Sequence, residues 1–332
     1  MTILTEIEAE APALEAIFQD LHAHPEIGFE ETRTAGVVAA RLREIGVDEV
    51  HEGLGGTGVV GIIRGKGGGN RCIGLRADMD ALPIHEESGL DYASRTDGTM
   101  HACGHDGHTT MLLGAAGYLA RTRAFEGTAL LIFQPAEEGL DGARRMLSEG
   151  LFERFPCDEA YGIHNNPMLE PGQAAICKGA AMAGATFFDI KVRGVGSHAA
   201  MPHQSRDAVV VASQLVGALQ TILSRNVPPL ETCVLSVTQI HAGAAYNVVP
   251  GEASLAGTVR YFKDSVKDLA LTRMEEICKG MALTHGVEIE LDARHVFDVL
   301  HNDHDLSEAY LDAAAEVLGP ENTRFNENPA TG

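Results

Sequence analysis

RCIGLRAD (residues 71–78) is a short apolar run that closes on a carboxylate, and the chain continues into a second one, Asp78-Met79-Asp80. Two similar runs follow, TALLIF (128–133) and AYGI (160–163). Each is too short and too uniformly apolar for a surface helix and has the length of a strand covered on both faces. Between them lie two segments of helical character, HTTMLLGAAGYLART (108–122) and DGARRMLSEG (141–150). Asp141 stands where an N-cap is expected and Gly150 where the second helix should close. Upstream, ALEAIFQDLHAHP (13–25) reads as an amphipathic helix stopped by Pro25, and TRTAGVVAARLREIG (32–46) as another, ended near Gly46. Strand and helix alternating in this way predict an α/β fold with a mostly parallel sheet flanked by helices.

Beyond residue 180 the rhythm changes. Strands are expected over 185–194, 232–243, 252–262 and 287–297, and long helices over 206–225 and 267–286. The order β-α-β-β-α-β is the ferredoxin-like pattern. It predicts a small α+β domain inserted over 180–296, with a catalytic domain formed by 1–179 and 297–332. DLSEAYLDAAAEVLG (305–319) is a further amphipathic helix, read as rejoining the first domain. The closing NENPATG carries no signal for a strand or a helix.

The 332 residues include 25 Lys and Arg against 47 Asp and Glu, a formal charge of −22. Nucleic acid and anionic membranes require a basic footprint, so both are excluded as main partners. The N-terminus has glutamates where a secretory signal has lysines, and no segment is read as long and apolar enough to span a bilayer. Six scattered cysteines without paired spacing read as reduced thiols, which predicts a cytoplasmic protein.

In an open α/β sheet, functional groups collect past the carboxyl ends of the strands. The three apolar runs finish in Asp78-Met79-Asp80, in FQPAEEG with Glu137 and Glu138, and at His164. HACGHDGH (101–108) opens the helix after the first run. Taken singly, each has a plain reading: a surface histidine, a glutamate pair complementing a helix dipole, a cysteine as a small hydrophobe. Together, Cys, His, Glu and His at one sheet edge match transition-metal coordination and disfavour Mg²⁺ or Ca²⁺. A metal hydrolase also needs a carboxylate that takes the proton from water. Glu137 and Glu138 can divide those tasks, in an order the spacing does not decide.

HAHPEIGFEE (22–31), LRADMDALP (75–83), MHACGHDGHTTMLLGAA (100–116), FQPAEEG (133–139), IHNNP (163–167), GSHAAMPH (196–203), NVVPGEA (247–253) and GTVR (257–260) follow one another in this order. With them the chain closely resembles the hippurate hydrolase and N-acyl-amino-acid amidohydrolase branch of the aminoacylase/glutamate carboxypeptidase-type di-metal peptidases. The resemblance implies two divalent transition-metal ions, zinc or manganese before cobalt or nickel, held by Cys103, His105, Glu138 and His164, with Cys103 a candidate bridge. It implies Glu137 as general base and then acid, and Asp80 as a group that orients the site. His108 is expected to do no more than support the first helical turn, and His101 and Asp106 to shape the loop. In the inserted domain, expected to serve as dimerisation domain and lid, it implies that His198 reaches a partner's active site to stabilise the oxyanion. Asn247 and Arg260 would hold the carboxylate of a small N-acyl amino acid; without the resemblance, Arg260 reads as a solvated strand-end charge. A chain at −22 does not attract such anions from afar, so recognition must be local, within the screening length of about 8 Å.

Relatives of this kind continue past the position of Gly332, with a serine-glutamate-aspartate motif, closing strands and one more metal-ligand histidine. The chain is therefore expected to be truncated at its C-terminal end, with His295, His301 and His304 in the wrong context to replace that ligand. The implied activity is hydrolysis of the amide of N-acyl amino acids. The alternatives are a related deacetylase or dipeptidase, or an inactive, metal-binding, dimerising fragment.

Overall fold

The computed structural model describes residues 3–139, 141–326 and 329–330. Gly332, where the expected further stretch would begin, lies outside them. The chain divides into two compact units, 1–168 and 169–332.

The first unit starts with helices α1 (Ile3–Glu8), α2 (Ala11–Ala23) and α3 (Thr32–Glu44). Then come strands β1 (Glu49–Leu54), β2 (Gly58–Arg64) and β3 (Cys72–Asp78), helix α4 (His105–Thr122) and strand β4 (Thr128–Gln134). Helices α5 (Gly142–Ser148) and α6 (Leu151–Arg154) and strand β5 (Glu159–Gly162) complete it. The sheet runs β1-β2-β4-β3-β5. The three strands expected from the apolar runs are parallel, with Asp78 beside Gln134 and Leu75 beside Tyr161. The antiparallel β1–β2 hairpin, which the sequence reading did not place, extends the sheet beside β4.

Strand β4 shows why the sheet needs layers on both faces. Alternate side chains point to opposite sides: Ala129, Leu131 and Phe133 join a core with Val38 and Leu42 of α3 and Leu113 and Ala116 of α4. Leu130 and Ile132 join another with Met146, Leu151 and Phe155. The N-cap expectation for Asp141 is corrected. Its backbone is left-handed and its carboxylate makes no cap, accepting instead from Arg144 at 3.1 Å.

The second unit opens with β6 (Ala174–Ile176) and β7 (Gly179–Met182). The ferredoxin-like order follows as β8 (Gly184–Arg193), the short β9 (Ser197–His198), α7 (Ala208–Arg225), β10 (Cys233–Ala242), the short β11 (Val248–Val249), β12 (Glu252–Tyr261), α8 (Asp264–His285) and β13 (Glu288–Phe297). Its antiparallel sheet runs β10-β12-β8-β13. Phe188, Ile190 and Val192 of β8 pack with Val211, Leu215 and Leu219 of α7 and with Met274 of α8. Asp207 caps α7 by accepting from the amides of Val209 (2.9 Å) and Val210 (3.2 Å).

Helix α7 corrects one expectation: by length and composition alone it could cross a membrane. Six of its residues, among them Leu215, Leu219 and Ile222, are buried inside the unit, so it is a core helix. Leu215 is completely buried. Leu215→Ala is expected to cost about 2–5 kcal/mol, read as a lower urea midpoint for this unit.

Last come β14 (Leu300–Asn302), α9 (His304–Leu318) and β15 (Thr323–Phe325). β14 pairs antiparallel with β7, and β15 pairs parallel with β6. Helix α9 packs on β6 and β15. The tail is not without strand pairing as expected, since Ala330 bridges Met182.

Candidate metal centre

The end of β3 is tied to its neighbour by Arg76, which donates to Asp78 at 2.7 Å and to Gln134 of β4 at 2.9 Å. Two residues on, Asp80 is buried. One of its oxygens accepts the amide of Glu138 at 2.9 Å and the other meets His105 Nδ1 at 3.2 Å. A single carboxylate thus joins the end of β3, the loop after β4 and the first residue of α4.

His105 is fully buried. With Nδ1–H given to Asp80, the ring presents Nε2, the arrangement of a metal-ready imidazole. That Nε2 lies 3.6 Å from Asp78, 3.8 Å from Glu138 and 4.0 Å from Glu137. His164 is set the same way: Nδ1 donates to the Asn165 carbonyl at 2.7 Å, and Nε2 lies 3.4 Å from Cys103 Sγ. Gly104 makes the approach of α4 to this loop possible. It has φ +91°, and a Cβ there would stand 2.6 Å from the Asn165 side-chain oxygen.

Among the described residues the donor atoms fall into three overlapping triples, each within 4.8 Å: Cys103, His105, His164; His105, Glu137, Glu138; and Asp78, His105, His108. His105 is common to all three. Its Nε2 and an oxygen of Glu138 are buried without a hydrogen-bond partner among the described residues, although buried polar atoms are nearly always paired. Thiolate, imidazole and carboxylate around unsatisfied donors suit a divalent transition metal, so the residues fit such an ion.

The electrostatics agree. Burial opposes a charge on His105, yet the bond to Asp80 and the charges of Asp78 and Asp80 push it up to about 11. The cluster therefore favours a cation at its centre. Asp78 is also opposed by burial, but its bond to His108, with Arg76 and His105 nearby, holds it well below the usual carboxylate range. Glu137 is raised, chiefly by burial, with Asp78 and Glu138 adding to it against Arg76 and His105.

Asp78 and His108 take a larger part than the sequence reading gave them. His108 does more than support the first turn: Nδ1 meets Asp78 at 2.6 Å, and Nε2 accepts the Asn165 amide at 3.0 Å. The signal available was the pair of carboxylates in Asp78-Met79-Asp80, three residues long and past a strand. His101 is buried with neither ring nitrogen partnered among the described residues, and burial pushes it down to about 4. Asp106 meets His22 Nδ1 at 2.6 Å.

His198, Asn247 and Arg260 lie in the second unit. His198 and Asn247 are neighbours there: β9 pairs with β11, and the amide of Ala199 donates to the Asn247 carbonyl at 2.9 Å. Both side chains are exposed. Arg260 stands near the other end of β12, donating to Thr258 at 2.6 Å, its guanidinium 5.7 Å from the centre of the Phe187 ring.

Residues 74–332 match peptidase family M20/M25/M40. The chain is 42% identical to the hippurate hydrolase of Campylobacter jejuni, over 99% of this chain and 85% of that one. It is 37% identical to the N-acetylcysteine deacetylase of Bacillus subtilis, over 94% and 81%. A crystal structure of a Bacillus subtilis protein described as a dinuclear metal-binding peptidase of the M20 family superposes with a TM-score of 0.81 at 32% identity, covering 98% of this chain and 84% of that one. The family match runs to residue 332.

Proposed function

The chain belongs to peptidase family M20/M25/M40, and on that premise we propose that it hydrolyses the amide bond of N-acyl amino acids, releasing a carboxylic acid and the free amino acid. The observation that carries this reading is the convergence of Cys103, His105, Glu137, Glu138 and His164 at one sheet edge, with both imidazoles presenting Nε2.

Cys103, His105, Glu138 and His164 would hold the metal, read as two divalent ions with zinc or manganese preferred. The unpartnered buried oxygen of Glu138 supports its role as a ligand. Bound ions supply Lewis acidity and a more acidic water. Glu137, its carboxyl raised and 34% exposed, takes the proton from the attacking water and returns it to the leaving amine. Asp80 fixes the His105 ring and the Glu138 backbone. His198 donates to the oxyanion from a partner chain, and Asn247 and Arg260 hold the substrate carboxylate, for which a guanidinium fork is well shaped. We assign 1–179 with 297–332 to the catalytic domain and 180–296 to a dimerisation and lid domain; the pairing of 174–176 with 323–325 supports that division. The six scattered cysteines, without paired spacing, support a cytoplasmic location.

The test is metal analysis together with release of amino acid from hippurate and from a set of N-acetyl amino acids. Metal at the site with turnover on one of these supports the reading, and turnover confined to dipeptides or to another N-acylated substrate moves it to the related dipeptidase or deacetylase. Folded, metal-free and inert protein would overturn it. Asp80→Ala removes an acceptor from His105 and from the Glu138 amide. It is expected to weaken metal affinity about 10–100-fold, measured by competition with a chelator.

A further inference from the structure

The loop that carries Glu137 and Glu138 is held from a place the mechanism above does not use. Ala136, directly before them, is fully buried and has a left-handed backbone at φ +51°. An alanine keeps that conformation only where its surroundings impose it, and such strain gathers at functional sites. The imposing group is Glu31. It has no solvent exposure, and its carboxylate accepts the Ala136 amide at 2.7 Å through one oxygen and the Thr57 hydroxyl at 2.6 Å through the other. The Ala136 carbonyl in turn accepts the Gly142 amide at 3.0 Å and closes the loop.

Glu31 is itself fixed. It stands at the head of α3, its carbonyl accepting the Ala35 amide at 2.9 Å. Two residues earlier Phe29 is also left-handed, at φ +66°, beneath the guanidinium of Arg145 at 5.0 Å from the ring centre. The same segment reaches the other side of the site. Glu26 accepts the Ala81 amide at 2.8 Å and Ile27 bridges Ala81, next to Asp80. Residues 26–31 therefore fasten both the Asp80 end of β3 and the loop of the paired glutamates.

We infer that Glu31 is a positioning residue for the reaction. Its buried carboxylate holds Ala136 in the left-handed conformation, and that aims Glu137 and Glu138. The inference rests on the amide-hydrolase reading of the site. No other acceptor is recorded for the Ala136 amide among the described residues, so a variant without the carboxylate strands a buried donor, which the loop can satisfy only by opening.

The test compares Glu31→Ala and Glu31→Gln with the wild-type, metal-loaded enzyme, by steady-state kinetics, metal content, thermal melting and hydrogen–deuterium exchange of peptides covering 133–142. Glu31→Ala is expected to lower kcat about 10²-fold, the cost of displacing a reacting group by an ångström or so, with KM near wild type and exchange faster over 133–142. Glu31→Gln keeps a carbonyl oxygen for the Ala136 amide and is expected to restore most of kcat and the slow exchange. A lower melting temperature with kcat unchanged at a temperature where the protein is folded would make Glu31 merely structural and overturn the inference. Unchanged exchange in Glu31→Ala overturns it as well. A wild-type enzyme inert on every N-acyl amino acid defeats the functional reading instead, and exchange over 133–142 still decides whether the clamp exists.

Discussion

Glu137→Gln is expected to lower kcat by about 10⁴-fold, the upper end of what a general acid–base contributes, with metal content and KM near wild type. The side chain is isosteric, so the half-buried position beside His105 and Glu138 stays filled while the capacity to take a proton is lost. The upper end is apt because one carboxylate serves twice, as base toward water and as acid toward the leaving amine. The pH profile supplies the sign. Burial raises the Glu137 carboxyl, so the active, deprotonated form is lost as pH falls through a value above the ordinary carboxylate range. The acidic limb of kcat should lie there in the wild type, and the residual activity of Glu137→Gln should lack it. An unchanged rate would remove Glu137 from the mechanism.

Stripping divalent metal with a chelator should abolish turnover, and adding zinc, manganese, cobalt or nickel should restore it. It should also destabilise the first unit. Asp78, Asp80, Glu137 and Glu138 crowd around His105, and Arg76 and the His105 ring are the cations set among these four carboxylates. A site saturated a thousandfold over its Kd stabilises the folded state by about 4 kcal/mol. For a unit of this size that corresponds to roughly 8–16 °C in Tm. Differential scanning calorimetry of the metal-loaded and stripped protein reads this directly. Equal melting temperatures would mean that the cluster holds no ion in solution.

Much of the fold is legible in the sequence because periodicity and burial coincide there. The runs at 71–78, 128–133 and 160–163 hold the parallel strands β3, β4 and β5, of which β4 is covered on both faces while β5 alternates half-buried and exposed residues. The β-α-β-β-α-β order survives because Asp207 caps α7 and because β8 and β12 alternate buried and exposed residues. The β1–β2 hairpin was missed because EVHEGL and GVVGIIR are short and joined through a glycine-rich turn, with polar residues on an edge strand. Of the site, the donor types in HACGHDGH and FQPAEEG could be read directly. The pairing of His108 with Asp78 could not, because it depends on which face of α4 meets β3. Glu31 was equally hidden: among the three acidic residues of 26–31, only the fold selects the one that is buried.

The parallel pairing of β6 with β15 joins residues about 150 positions apart in the chain. Closing a flexible loop of that length costs about 4 kcal/mol in chain entropy, which three residues of ladder do not offset. The contact becomes affordable once β8, β10, β12 and β13 have assembled with their helices and turned the long loop into a rigid spacer. Hence β15 should join last in folding and loosen first, and Leu215→Ala, though on the buried face of α7, should be felt at Thr323–Phe325. Because the two strands are parallel, no tight hairpin can replace what lies between them. A minimal bridge from Ile176 to Thr323 would itself need a crossover of about a dozen residues.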